Sequence, residues 1–213
     1  ILQSDGKIVI GGTFTGVNGF NRANFARLNN DGTLDTSFNA GSTSLRKLIL
    51  QSDGKYLALA DNGSIKRFNS NGSDDVVLQA TTNASVIDME LLNDGSIILV
   101  GSFTSINSQT KNRIARLNSN GVLDNNTFVK GANEAVRKII KQSDGKIIIG
   151  GDFTSIEDVP RTGIARLSVS AFTRPANFDF DGDGRADIVV YRPSNSVWYQ
   201  LLGQNYQFSA FGF

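Results

Sequence analysis

Residues 143–155 read SDGKIIIGGDFTS, and the phrase recurs as SDGKIVIGGTFT from Ser4, SDGKYLALA from Ser52 and NDGSIILVGSFTS from Asn93. Its aspartates, Asp5, Asp53, Asp94 and Asp144, stand 48, 41 and 50 residues apart. A fixed period of this size marks a repeat architecture. A second phrase follows each copy: NRANFARLNNDGTLD, SIKRFNSNGSDD, NRIARLNSNGVLD and RTGIARLSVS. A third, LRKLILQ, VIDMELL or VRKIIKQ, precedes the later copies.

Each unit reads as strands. VRKIIKQ and KIIIGGDF are short runs rich in β-formers, and Asp-Gly or Asn-Gly pairs between runs supply the positive φ that tight hairpins require. IARLN alternates apolar and polar residues, as a half-buried strand does. LDTSF or LDNNTF makes a fourth strand. No run sustains a helical period, so each unit is predicted to be a four-stranded antiparallel meander. One such meander cannot bury both faces, whereas neighbours arranged about an axis can. Units of about 40–50 residues are the blades of β-propellers. A β-sandwich is the rival, but a sandwich needs no repetition of whole phrases. The second unit lacks the GGTFTGVNGFNR segment and has DNGSI instead, which predicts a variable loop on one rim.

Composition narrows the function. The chain has 213 residues, 39% of them hydrophobic, with 21 Lys+Arg against 20 Asp+Glu and a net charge of +1. That balance gives no electrostatic reason for nucleic acid or an anionic membrane. There is no cysteine and no histidine. Thiol catalysis, disulfides, Cys-ligated zinc and any Ser-His-Asp mechanism are excluded. No apolar stretch approaches the roughly 20 residues of a membrane-spanning helix. Residue 1 falls in the middle of a repeat, so the chain is read as processed or as part of a longer one. Glutamates are few, at Glu90, Glu134 and Glu157, and no facing carboxylate pair is marked. The chain is therefore read as not an enzyme.

The pattern QSDGKIVIGG–F–NR–ARLNNDGTLDTSFN resembles the delta-60 repeat, a bacterial propeller-type repeat of large secreted and surface proteins. The resemblance covers residues 1 to about 168. It implies repeat architecture and an extracellular or cell-surface location, and no catalytic residues.

After Arg166 the text changes. Asp179, Asp181, Asp183 and Asp187 occupy positions 1, 3, 5 and 9 of the loop DFDGDGRAD, with Gly182 and Gly184 between them. Alternate residues of a tight loop can aim their oxygens at one centre. A calcium ion takes 6–8 oxygens at about 2.3–2.6 Å, and the carbonyl of Arg185 with water would complete the set. An EF-hand is excluded, because position 12 is Val190 and the strand-like IVVY follows. The alternative is that these aspartates cap turns, leaving four clustered negative charges with Arg185 as sole compensation. The loop resembles the integrin-type FG-GAP, or VCBS-like, repeat, in which it joins two strands of a blade. Phe211-Gly212 matches the FG dipeptide, while YRPSN stands where the GAP element belongs. The resemblance implies Ca²⁺ at Asp179, Asp181, Asp183, Arg185 and Asp187 in a structural role.

Two other patterns bear on binding. Arg27, Arg67, Arg116 and Arg166 recur at one repeat position, and Arg22, Arg113 and Arg161 at another. They form either a ring of cations for an anionic ligand or structural pairs with carboxylates such as Asp35 and Asp124. Recurrence in every repeat favours pairing. Trp198, Tyr199, Tyr191 and Tyr206 make an aromatic patch that is either strand core or a sugar-stacking platform.

The combined expectation is an all-β propeller, or propeller fragment, of about five four-stranded blades. Residues 1–173 form four delta-60-like blades, the first lacking most of its opening strand, and 174–213 form an FG-GAP-like blade. The expected function is a calcium-stabilised extracellular scaffold for protein–protein interaction or adhesion. The alternatives are a lectin-like carbohydrate-binding module or an accessory subunit of a surface complex or filament. The partner is a protein or glycan at the cell surface, with no nucleic acid and no membrane span, and the chain is part of a larger polypeptide or assembly.

Overall fold

The computed structural model describes residues 1–38, 41–75, 78 and 80–169, and the backbone of three strands between 188 and 211. There is no helix among the described residues. The chain divides into two compact units, Ile1–Val169 and Ser170–Phe213.

The first unit is a series of antiparallel sheets, one per repeat. The first sheet pairs β1 (Ile8–Gly11) with β4 (Phe25–Leu28), and a two-stranded ribbon, β2 (Gly16–Val17) and β3 (Phe20–Asn21), lies between them in the chain. The second is β5 (Leu45–Leu50), β6 (Tyr56–Ala60) and β7 (Ile65–Phe68), with no ribbon. The third contains β8 (Val86–Leu91), β9 (Ile97–Gly101), β12 (Ile114–Leu117) and β13 (Leu123–Asp124), and carries the ribbon β10 (Ser105–Ile106) and β11 (Gln109–Thr110). The fourth is β14 (Val136–Lys141), β15 (Ile147–Gly151) and β18 (Ile164–Leu167), with the ribbon β16 (Ser155–Ile156) and β17 (Val159–Pro160). In the second unit β19 (Ile188–Arg192), β20 (Val197–Leu202) and β21 (Gln207–Phe211) form a meander.

The recurring Asp-Gly makes each hairpin. Gly54 and Gly145 both have φ of 80°, a region open to glycine at no steric cost. The aspartate before each glycine accepts the amide two residues on, as in Lys55 N to Asp53 Oδ1 at 3.1 Å and Ser96 N to Asp94 Oδ1 at 2.9 Å. The expected fourth strand is only two residues long in the third sheet and a single bridge, Leu28 with Leu34 and Phe68 with Asp74, in the first two. The cause is local: Asp35 and Asp124 accept the amides of Ser37 and Asn126, at 3.0 and 2.8 Å. These turns lead the chain out of the ladder almost as soon as it pairs.

Both faces of the middle sheets are buried. One apolar cluster joins Val9, Phe25 and Phe38 to Leu45, Tyr56, Ala58 and Phe68, between the first and second sheets. A second joins Leu57, Leu59 and Ile65 to Met89, Ile97, Leu99 and Leu117. A third joins Ile98, Val100 and Ile114 to Ile139, Ile147, Ile149 and Ala165. The first cluster is aromatic: Phe25 lies 5.1 Å from Phe38 and 4.7 Å from Phe68, ring centre to ring centre. One position differs between the first three sheets and the fourth. Phe25, Ile65 and Ile114 are buried, whereas Ile164, their counterpart in the fourth sheet, is 68% exposed.

Candidate functional site

The recurrent arginines are structural clamps. Arg27 Nε donates to Asp35 Oδ2 at 2.9 Å, and Arg67 Nε to Asp75 Oδ2 at 2.8 Å. Arg116 pairs with Asp94 and lies 3.8 Å from Asp124, and Arg166 pairs with Asp144 at 2.6 Å. Each of the first three also reaches the following sheet. Arg27 Nη1 donates to Ser70 O at 3.0 Å, Arg67 Nη1 to Ser119 O, and Arg116 Nη1 to Val169 O at 2.9 Å. The acceptors occupy equivalent places, two residues past strands β7, β12 and β18. One side chain thus satisfies a carboxylate in its own repeat and a carbonyl in the next, and the cation-ring alternative is not needed. Lys7, Ser37 and Arg27 together hold the Asp35 carboxyl well below the usual carboxylate range.

A second ionic arrangement lies outside the sequence expectations, although the phrases LRKLILQ, VIDMELL and VRKIIKQ align its members. β5, β8 and β14 carry register shifts at Leu45/Lys47, Val86/Asp88 and Val136/Lys138. These place Lys47, Asp88 and Lys138 at one position of successive repeats. Asp88 is buried and accepts from Lys47 Nζ and Lys138 Nζ, each at 2.8 Å, and from Ile139 N at 3.3 Å. Burial by itself would push the Asp88 carboxyl up; the two lysines outweigh it, and its pKa lies below the ordinary value. One carboxylate therefore ties three repeats together.

The segments linking one sheet to the next have two flanks, and the link between the third and fourth sheets is held by a ribbon on both. On one flank lies the ribbon of the following sheet. Asn83 Oδ1 accepts Thr104 N and Ser105 N at 2.9 and 3.0 Å, and Asn133 Oδ1 accepts Thr154 N and Ser155 N, both at 2.9 Å. On the other flank lies the ribbon end of the preceding sheet. Arg22 Nη1 donates to Phe38 O at 2.9 Å and Asn24 Nδ2 to Ser42 O. Lys111 Nζ donates to Thr127 O at 3.1 Å, Asn112 Nδ2 to Lys130 O at 3.0 Å and Arg113 Nη1 to Ala132 O at 3.2 Å. Lys111 is buried there, which pushes its ammonium pKa down.

The second sheet has no ribbon. It turns from β6 to β7 through Asp61-Asn62-Gly63-Ser64, so the segment after it has no Arg22/Asn24 or Lys111–Arg113 counterpart on that flank. A cleft of about 620 Å³ opens in that place. Asn62, Ser64 and Ile65 line one side, and Leu78, Thr81 and Asn83 the other. The sequence foretold the shorter loop but not the cleft.

Asp179, Asp181, Asp183, Arg185 and Asp187 lie outside the described residues, as do Gly182, Gly184 and Tyr206. Among the described residues no three carboxylates cluster as a metal site would require, and no helix is long and apolar enough to cross a membrane. In the second unit the register sets Tyr191 opposite Trp198, and Trp198 opposite Phe211.

Three stretches, 3–38, 92–126 and 142–169, match the model of a family described as a domain of unknown function (DUF5122) beta-propeller. The interval without a match holds the second repeat, the one that lacks a ribbon. No curated protein matches the chain. Among solved structures, one similar fold is the extracellular domain assigned to the one-component system BT4673 of B. thetaiotaomicron. Its TM-score is 0.50 at 10% identity, covering 100% of this chain and 30% of that one. Another is the extracellular domain assigned to the hybrid two-component system BT3049 of the same organism, with a TM-score of 0.46 at 14% identity, covering 94% and 29%. The chain thus spans less than a third of the length of either. Successive antiparallel sheets buried face to face, a clamp repeated from each to the next, and a family match in three of the four repeats make the fold of this chain a β-propeller.

Proposed function

We propose that the chain is a non-catalytic, extracellular binding scaffold whose C-terminal repeat is stabilised by calcium. The observation that carries the first part is the use made of the charged side chains. In the described repeats Asp35, Asp75, Asp88, Asp94, Asp124 and Asp144 are each engaged by cations that hold sheets or turns together. Groups committed in this way position a fold, which supports a non-catalytic reading. The extracellular location rests on the delta-60 resemblance and agrees with the extracellular domains of similar fold. That the chain spans 30% of the length of a structure of similar fold supports membership of a larger chain or assembly.

The calcium reading rests on Asp179, Asp181, Asp183 and Asp187, with the Arg185 carbonyl as a further oxygen. Residues 1–173 are read as delta-60-like blades and 174–213 as an FG-GAP-like blade. The carboxylates supply hard oxygens, the ligand type that calcium selects. Isothermal titration with Ca²⁺ is expected to give saturable binding to the wild type and none to Asp181→Ala. Equal, negligible heat for both proteins removes calcium from the proposal and leaves the binding scaffold standing.

A further inference from the structure

The second repeat, which lacks a ribbon, breaks the symmetry of the ribbon layer among the described repeats, and the cleft lies on its side toward the following link. Its counterparts after the first and third sheets are filled by polypeptide. In both, a cationic side chain and an asparagine at the ribbon's end donate to carbonyls of the linking segment: Arg22 and Asn24 to 38–42, Lys111 and Asn112 to 127–130. After the second sheet the described part of the corresponding segment, Leu78 and 80–85, meets the short turn where Gly63 O accepts Val86 N at 3.1 Å, and among the described residues its flank toward Asn62 and Ser64 is otherwise open. Its other flank is occupied, because Asn107 N donates to Thr81 O and Asn83 holds Thr104 and Ser105. The vacancy is thus one-sided and bounded by a floor of Ile65 and Leu78.

We infer that this cleft receives a β-hairpin of a partner protein, with a lysine or arginine and a nearby asparagine at the hairpin's stem. The occupant is specified by continuity: the same chain builds the same contact twice with its own ribbons. The inference rests on the reading of the chain as a binding scaffold and names its partner's chemistry. Hairpin main chain suits the site for a second reason. The polar lining consists of amide and hydroxyl groups, Asn62, Ser64, Thr81 and Asn83, which can donate and accept. Lys66 is the cation among the described lining residues, and its ammonium donates to Thr43 Oγ1 of the link before the second sheet at 3.0 Å.

The probe is a cyclised peptide of residues Ser102–Arg113, the third repeat's own ribbon, titrated into the isotopically labelled full chain. Saturable amide shifts are expected at Asn62, Ser64, Thr81 and Asn83. A peptide with alanine at the Lys111 and Asn112 positions is expected to bind roughly fivefold or more weakly, as loss of a hydrogen bond or two implies. Replacing Asp61–Gly63 of the chain by Ser102–Asn112 fills the cleft from within and is expected to abolish the shifts. Should that graft not fold, Thr81→Trp blocks the same opening from an exposed position. The inference is overturned if the peptide shifts nothing at saturation, shifts residues elsewhere, or binds the blocked chain equally. Neutral oligosaccharides run as a parallel arm: shifts at the cleft from a sugar, with the peptide inert, overturn the hairpin and leave the scaffold reading intact.

Discussion

The second and third repeats share a plan and differ in one segment. Both bury apolar residues on the two faces of a sheet, both have a register shift in the first strand, and both use an arginine, Arg67 or Arg116, to reach the next repeat's carbonyl. The third adds a ribbon whose base is pinned by Phe103 and Ile106, each fully buried. The second replaces all of this with a four-residue turn. The sheets and clamps of the repeat therefore persist without the ribbon layer, and the layer is where one repeat can differ from another without disturbing the stack. Specificity in a repeat protein belongs in such a layer, because a change there leaves the neighbouring interfaces intact.

The largest expected effect tests whether the ribbon, where present, is part of the core. Phe103→Ala removes a fully buried ring from the cluster between the second and third sheets. It is expected to cost about 3–5 kcal/mol of unfolding free energy, read as a lower midpoint in urea denaturation. A cost below about 1 kcal/mol would show that the ribbon is an appendage, and that its absence from the second repeat leaves no structural gap.

Asp88→Asn asks whether the repeats are also held along the strands that open them. It leaves Lys47 and Lys138 without their shared counter-charge. Lys138 is largely exposed, so solvent screens part of the loss. A cost of about 2–3 kcal/mol is expected, less than the value for a fully buried pair. The sign with pH follows from the depressed carboxyl. The folded form binds the proton less readily than the unfolded chain, so the stabilisation is present above the ordinary carboxylate pKa of about 3.9 and is lost as pH falls through the folded value. Wild-type stability is therefore expected to drop between about pH 4 and more acid conditions, and the Asp88→Asn drop to be shallower. Parallel pH curves for the two proteins would exclude Asp88 from that titration.

What the sequence made legible follows from local chemistry. The Asp-Gly turns, the strand periods and the pairing of Arg27 with Asp35 could be read because each is set by residues close in sequence or recurring at a fixed place. The Lys47–Asp88–Lys138 bridge could not. Lys47 and Lys138 share a repeat position that Asp88 fills in the third repeat, but that one carboxylate bridges both lysines is visible only once the strands pair and the register shift aligns them. The cleft was half legible: a deletion is visible in a line of text, but whether its neighbours close over it depends on what else holds them. Here Asn83 and its bonds to Thr104 and Ser105 hold the far flank in place.

The smallest expected effect comes from the turn that stands in the ribbon's place. Asn62 Oδ1 accepts Ser64 N at 3.0 Å and Ser64 Oγ at 2.7 Å, and Gly63 takes φ of 81° between them. Asn62 is exposed, so Asn62→Ala trades these bonds for bonds to water and leaves no polar atom stranded in the core. The cost is expected to be about 0.5–1 kcal/mol, measured by the same denaturation. The side chain faces the cleft as well as the turn. A variant that barely disturbs stability therefore separates the turn's two roles: cleft binding lost at near-native stability would assign Asn62 to recognition, whereas a stability loss as large as that of Phe103→Ala would mean that the short turn carries the work the ribbon does elsewhere.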